Sequence, residues 1–170
     1  NYVQELVEKE ALLPKDINWH FIGHLQTNKV KLIAPFVQLI HGVDSLKLLR
    51  EINKQAEKNN RVIDCLLQVH IAQEETKFGL NEEELQSLVK ELAKLEMKNV
   101  RVCGLMGMAS FTTDIQKVRK EFEYLKKLFD SVPNFEILSM GMSSDYKTAI
   151  EEGSTMVRIG SLLFGEREVK

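Results

Sequence analysis

The sequence is sparing with cysteine and carries no surplus of either charge. Only Cys65 and Cys103 occur, each inside an apolar run, VIDCLLQV and VRVCGLM. That usage excludes a disulfide scaffold and reads as small, reduced core residues. Lys+Arg number 23 against 25 Asp+Glu, a net charge of -2, and no basic face is clustered. There is then no electrostatic basis for binding nucleic acid or a membrane surface, and small-molecule work is the better expectation. No apolar run approaches the roughly 18 residues of a membrane span. Residues 1–10 are amphipathic and charged rather than signal-like, so the chain reads as cytosolic. It also lacks linkers, low-complexity tracts and shifts in composition, which makes it one domain. What it does have, 44% hydrophobic and 28% charged residues over 170 positions, excludes disorder and is enough for a substantial core.

Leu85, Leu88, Val89, Leu92 and Leu95 follow the helical period, and Asn81 with Glu84 three residues later supplies a cap at the start. The acidic run Glu82, Glu83 and Glu84 fits the positive end of that helix, a stability device rather than a site. The same reasoning predicts helices near 2–13, 26–35, 45–58, 114–130 and 145–152. Between them lie six runs rich in β-branched or aromatic residues: INWHFIG, VQLIHG, RVIDCLLQVHI, VRVCGLMGM, FEILSMG and TMVRIG. Strict alternation of helix and strand implies an α/β fold of parallel strands covered by helices. A closed (β/α) barrel needs eight strands and about 250 residues. The chain is therefore expected to form either an open doubly wound sheet or a barrel lacking its first two strands.

In such folds ligands lie at the carboxyl ends of the strands, and barrels often hold a phosphate on the loops after the last two. The fifth run ends in Met140-Gly141-Met142-Ser143-Ser144-Asp145, with a glycine for close backbone approach and the Ser143 hydroxyl at a helix start. The sixth ends with Gly160 and Ser161, again where a strand feeds a short helical turn. Either serine alone is most simply a helix N-cap. Paired on the last two strands, they point to a phosphate cup. Strand alternation places Met156, Arg158 and Gly160 on one face, and an arginine in a buried strand needs an acceptor. That acceptor is either a ligand or a carboxylate such as Asp64.

The segments GHLQTNK, QVHIAQEETKFGL, GLMGMAS and LSMGMSSDYKTAIEEGSTMVRIGSLLFG, with the opening NYVQE, resemble the pyridoxal phosphate homeostasis protein family over essentially the whole chain. The resemblance implies a fold-type III (β/α)8 TIM barrel, like the alanine racemase N-terminal domain, with pyridoxal 5'-phosphate (PLP) at the carboxyl ends of its strands. It makes Ser143, Gly160 and Ser161 phosphate ligands and sets Arg158 opposite the pyridine nitrogen. Asn1 corresponds to the Asn of the family's Gly-Glu-Asn-Tyr stretch beside the cofactor, and Met142 packs near the ring. Family members carry their Schiff-base lysine on the first barrel strand, ahead of that stretch. Residues 1–170 are thus expected to be a single PLP-binding barrel domain, incomplete at the N-terminus, with about six strands and no covalent anchor.

An arginine at the pyridine nitrogen disfavours a proton there and weakens the ring as an electron sink, whereas an acidic partner does the opposite. With no second domain to complete a racemase site, the implied function is intracellular PLP homeostasis without turnover, with PLP-dependent apoenzymes as the partners the resemblance suggests. Two other readings stand beside it: an alanine-racemase-like enzyme acting on amino acids, and a phosphate-binding barrel enzyme without PLP. His20 and His24 are spaced H-x-x-x-H, but a strand-like run and a missing third ligand argue against a metal. His24 reads as a structural histidine near the mouth, and Lys77 as a solvated loop lysine close enough to meet a phosphate.

Overall fold

The computed structural model describes residues 2–72 and 78–165. Six strands form one sheet: β1 (His20–Phe21), β2 (Leu39–Val43), β3 (Ile63–Val69), β4 (Val100–Gly107), β5 (Ile137–Met142) and β6 (Met156–Arg158). Helices α1 (Val3–Leu12), α2 (Val30–Ile33), α3 (Leu46–Lys58), α4 (Glu82–Leu92), α5 (Ile115–Asp130), α6 (Tyr146–Glu151) and α7 (Ser161–Phe164) precede, connect and follow them. All neighbouring strands pair in parallel and lie in chain order from β1 to β6. A doubly wound sheet reverses its strand order at a switch point. This sheet has no reversal, and of the two architectures open to the sequence it is the wall of a half-barrel.

The sheet curls strongly. Neighbouring strands lie about 4.8 Å apart, so β2 and β5 would be roughly 14 Å apart in a flat sheet. Yet the His41 side chain on β2 reaches Ser139 on β5 at 3.0 Å. Curvature splits the core in two. Outside, Leu49, Ile52 and Ala56 of α3 and Phe122 and Leu125 of α5 pack against strand residues such as Ile40, Cys65, Leu67 and Leu105. Inside, a smaller cluster of Leu39, Leu66, Cys103 and Met106 is joined by Ile137 and Met156. The two free cysteines are both buried but belong to different clusters. Burial raises both thiols, Cys103 to about 11.

The long helices start where the side chains dictate. Asn81 accepts from the Glu84 backbone N–H and Glu84 answers to that of Asn81, a complete capping box. Ser45 caps α3 and Asp114 caps α5 in the same way. Two expected elements are shorter than their patterns. The INWHFIG run pairs as a strand only over His20 and Phe21, which meet Leu39 and Ile40 of β2 at the edge of the described sheet. The predicted helix at 26–35 splits into a 3-10 turn, Thr27–Lys29, and the four-residue α2.

Candidate functional site

At the carboxyl ends of the strands, on the concave side, lies a cavity of about 1330 Å³ whose lining includes His20, His41, Met142, Ser143, Arg158 and Gly160. Its floor and rim come from the loops after β4, β5 and β6.

Near the end of β5 the chain turns at Gly141, whose φ of +94° disfavours a side chain. A Cβ there would also lie 2.5 Å from that of Ala149. The turn is closed by Asp145, whose carboxylate accepts from the Met142 N–H at 2.6 Å while its own N–H donates to the Met142 carbonyl. This presents Ser143 to the next loop. Its Oγ accepts from the backbone N–H of Gly160 at 3.1 Å and of Leu162 at 3.4 Å.

Neither serine caps its own helix: Asp145 stands at the N-cap of α6 and Gly160 at that of α7. Two N–H groups from one loop thus converge on an oxygen from the other, an arrangement that suits an anionic oxygen equally well. Gly160 borders open space, with no atom within 4 Å of where a Cβ would sit, so backbone and ligand can approach closely there. Ser161 is exposed beside it.

Arg158 lies beneath the cup, only 8% exposed. Its Nη1 donates to the Ser139 carbonyl at 2.9 Å and to the Ser139 Oγ at 2.8 Å, and its Nη2 donates to the Gly107 carbonyl at 3.1 Å. Asp64 is not its partner, because Asp64 takes a two-pronged contact from Arg101 at 2.8 and 2.7 Å. Among the described residues no carboxylate reaches Arg158. Burial lowers its pKa to about 10, against an opposing pull from Asp145, so it stays charged at neutral pH. A buried cation with only neutral partners is an attractor for an anion.

Met142 is 43% exposed at the cavity edge, where it can cover a flat ligand. Asn1 and Lys77 lie outside the described residues. His20 and His24 face different partners. His20 meets His41 at 3.3 Å, whereas His24 pairs with Asp44 at 3.6 Å and stacks on Phe78 with ring centroids 4.2 Å apart. Among the described residues no group of three or more His, Cys, Asp and Glu side chains is gathered to hold a metal.

Two buried groups escaped the sequence reading, His41 and Ser139. The signal that exposed Arg158, a polar side chain in an apolar strand run, applies to both of them. A third feature is Glu121 of α5, a buried carboxylate that accepts from the Ser110 N–H and hydroxyl, each at 2.7 Å. It clamps the loop after β4 along the cavity rim. Replacing Glu121 with alanine is expected to cost about 2 kcal/mol, the worth of hydrogen bonds to a charged group. Urea unfolding reads the loss, and faster hydrogen exchange at the Ser110 amide locates it.

The sequence pattern of the family described as alanine racemase, N-terminal domain, matches residues 1–168. A pyridoxal phosphate homeostasis protein of Aquifex aeolicus is 48% identical over 174 residues, covering 99% of this chain and 75% of that protein. One of the same name from Helicobacter pylori is 40% identical over 168 residues, covering 98% and 75%. Among solved structures, PipY of Synechococcus elongatus with PLP bound superposes with a TM-score of 0.86 at 31% identity, covering 97% of this chain and 79% of its own.

Proposed function

Since the chain belongs to the pyridoxal phosphate homeostasis proteins, within the alanine racemase N-terminal domain family, we propose that it binds PLP and serves intracellular PLP homeostasis without catalytic turnover. When bound, PLP supplies an aldehyde that takes up amines and a pyridine ring that spreads charge. The residues here do the holding. Ser143, Gly160 and Ser161 cradle the phosphate, Met142 covers the ring, and Arg158 donates to the ring nitrogen and keeps a proton off it. That last contact blunts the ring as an electron sink and favours keeping the cofactor over transforming an amine bound to it. Asn1 is assigned beside the ring by the resemblance.

The observation that carries this reading is the convergence of the Ser143 Oγ with the Gly160 and Leu162 N–H groups, in the same cavity as a buried arginine that no carboxylate among the described residues reaches. The finer architecture proposed with it is a fold-type III (β/α)8 barrel, one PLP-binding domain, in which two further strands lie between β6 and β1. No helix among the described residues is long and apolar enough to cross a membrane. The setting proposed is the cytoplasm, with PLP-dependent apoenzymes as recipients.

Comparing PLP with pyridoxal, which lacks the phosphate, tests the cup. PLP is expected to bind far more tightly, and Ser143→Ala to weaken PLP by about tenfold, the worth of a charge-assisted hydrogen bond, while leaving pyridoxal unchanged. Equal affinity for the two compounds would overturn the assignment, and amino-acid racemisation by the purified chain would favour the racemase reading.

A further inference from the structure

We propose that Ser139 and His41 are positioning residues for Arg158, joined with His20 in a hydrogen-bond relay that runs one way across the inside of the half-barrel. The proposal deepens the reading of Arg158 as the partner of the ring nitrogen and rests on it. The direction follows from counting donors. A guanidinium has no acceptor, so the bond between Arg158 Nη1 and Ser139 Oγ, 2.8 Å long, is donated by the arginine. Ser139 is fully buried, and its hydroxyl proton needs an acceptor. Besides Arg158, its Oγ has one partner among the described residues, the Nδ1 of His41 at 3.0 Å. The hydroxyl therefore donates to Nδ1, and His41 carries its proton on Nε2. That nitrogen donates to the Nδ1 of His20 at 3.3 Å. His20 then holds its own proton on Nε2.

Both ends of the relay open on the cavity. No buried polar side-chain atom among the described residues lacks a partner. Among the described residues Nε of Arg158 and Nε2 of His20 make no hydrogen bond, and both residues line the cavity. The guanidinium is fixed by three contacts that use Nη1 and Nη2, and these leave Nε–H free for an acceptor in the cavity. Ser139 supplies two of the three, one through its side chain. His41 sets the Ser139 hydroxyl so that its lone pairs face the arginine. It is suited to this as a neutral ring, since burial, helped by the Arg158 charge, pushes its pKa down to about 3. The relay links β6, β5, β2 and β1, and this explains why two polar residues are kept in otherwise apolar strands.

The test loads full-length protein with PLP labelled with nitrogen-15 in the ring and reads the chemical shift of that nitrogen. Arg158→Gln serves as the reference for a lost contact. Ser139→Ala and His41→Leu are expected to move the signal toward that reference and to weaken PLP about fivefold. His41→Gln should keep the wild-type signal, because its amide offers an acceptor to Ser139 and a donor to His20. If Arg158→Gln moves the signal while Ser139→Ala and His41→Leu do not, the relay is refuted and the reading of Arg158 stands. A signal that Arg158→Gln leaves in place overturns that reading and the relay with it. Should Ser139→Ala fail to fold, the contrast between His41→Leu and His41→Gln, on another strand, decides the matter.

Discussion

Arg158→Gln is expected to hold PLP about a hundredfold more weakly than the wild type, a loss of roughly 3 kcal/mol that corresponds to a buried charge-assisted contact. Arg158 is 8% exposed, and among the described residues its guanidinium is held by carbonyls and a hydroxyl rather than by a carboxylate. Among the described residues no carboxylate bonds to it, and its charge acts on whatever enters the cavity. Glutamine is neutral and shorter, yet its amide can still donate to the Ser139 carbonyl, so the variant should fold. The loss should fall on PLP and pyridoxal alike, because the contact is to the ring. This distinguishes it from Ser143→Ala, whose effect is confined to the phosphate. Fluorescence titration with both compounds measures the two patterns. A variant that lost affinity for PLP alone would place Arg158 at the phosphate instead of the ring.

How much of this was legible beforehand depended on whether a contact is local. The capping box of Asn81 and Glu84 spans three residues, and the sequence shows it because both partners sit on one turn. The alternation of helix and strand was legible for the same reason: each element declares its own period. Strand order was not. Open sheet and half-barrel share that alternation, and what separates them is a strand order without reversal together with the approach of His41 to Ser139, 98 residues apart in the chain. The cup was half legible. Ser143 and Gly160 stood out as a pair of strand-end positions, but the 3.1 Å bond between them joins two loops 17 residues apart. A serine before a helix looks like a cap of that helix until the neighbouring loop is in place. Length at the sheet edge was not legible either: of the INWHFIG run only His20 and Phe21 pair, with Leu39 and Ile40, although β2 runs on to Val43.

Acid should destabilise the protein through His41 well above the pH at which carboxylates are protonated. Burial, then the charge of Arg158 and then His20, push this histidine from 6.5 to about 3, and His20 is shifted the same way by burial. Between those values the unfolded chain binds a proton at residue 41 and the folded chain does not. Stability therefore rises with pH across this window. It is fully present above about 6.5 and is lost progressively as the pH falls toward 3, by about 1.4 kcal/mol for each pH unit. From pH 6.5 to 4.5 His41 alone accounts for roughly 3 kcal/mol, a large part of a typical folding free energy. His41→Gln removes the titrating group and keeps a donor and an acceptor in its place. Urea unfolding at pH 7.5, 5.5 and 4.5 should give a wild-type stability that falls more steeply than that of the variant, the gap widening to about 3 kcal/mol at the lowest pH. Carboxylate titration is common to both proteins and cancels in the difference. Parallel pH profiles would mean that His41 takes up its proton in the folded state. The Nδ1 that Ser139 is assigned to would then carry a hydrogen, and the direction of the relay to Arg158 would be reversed at that link.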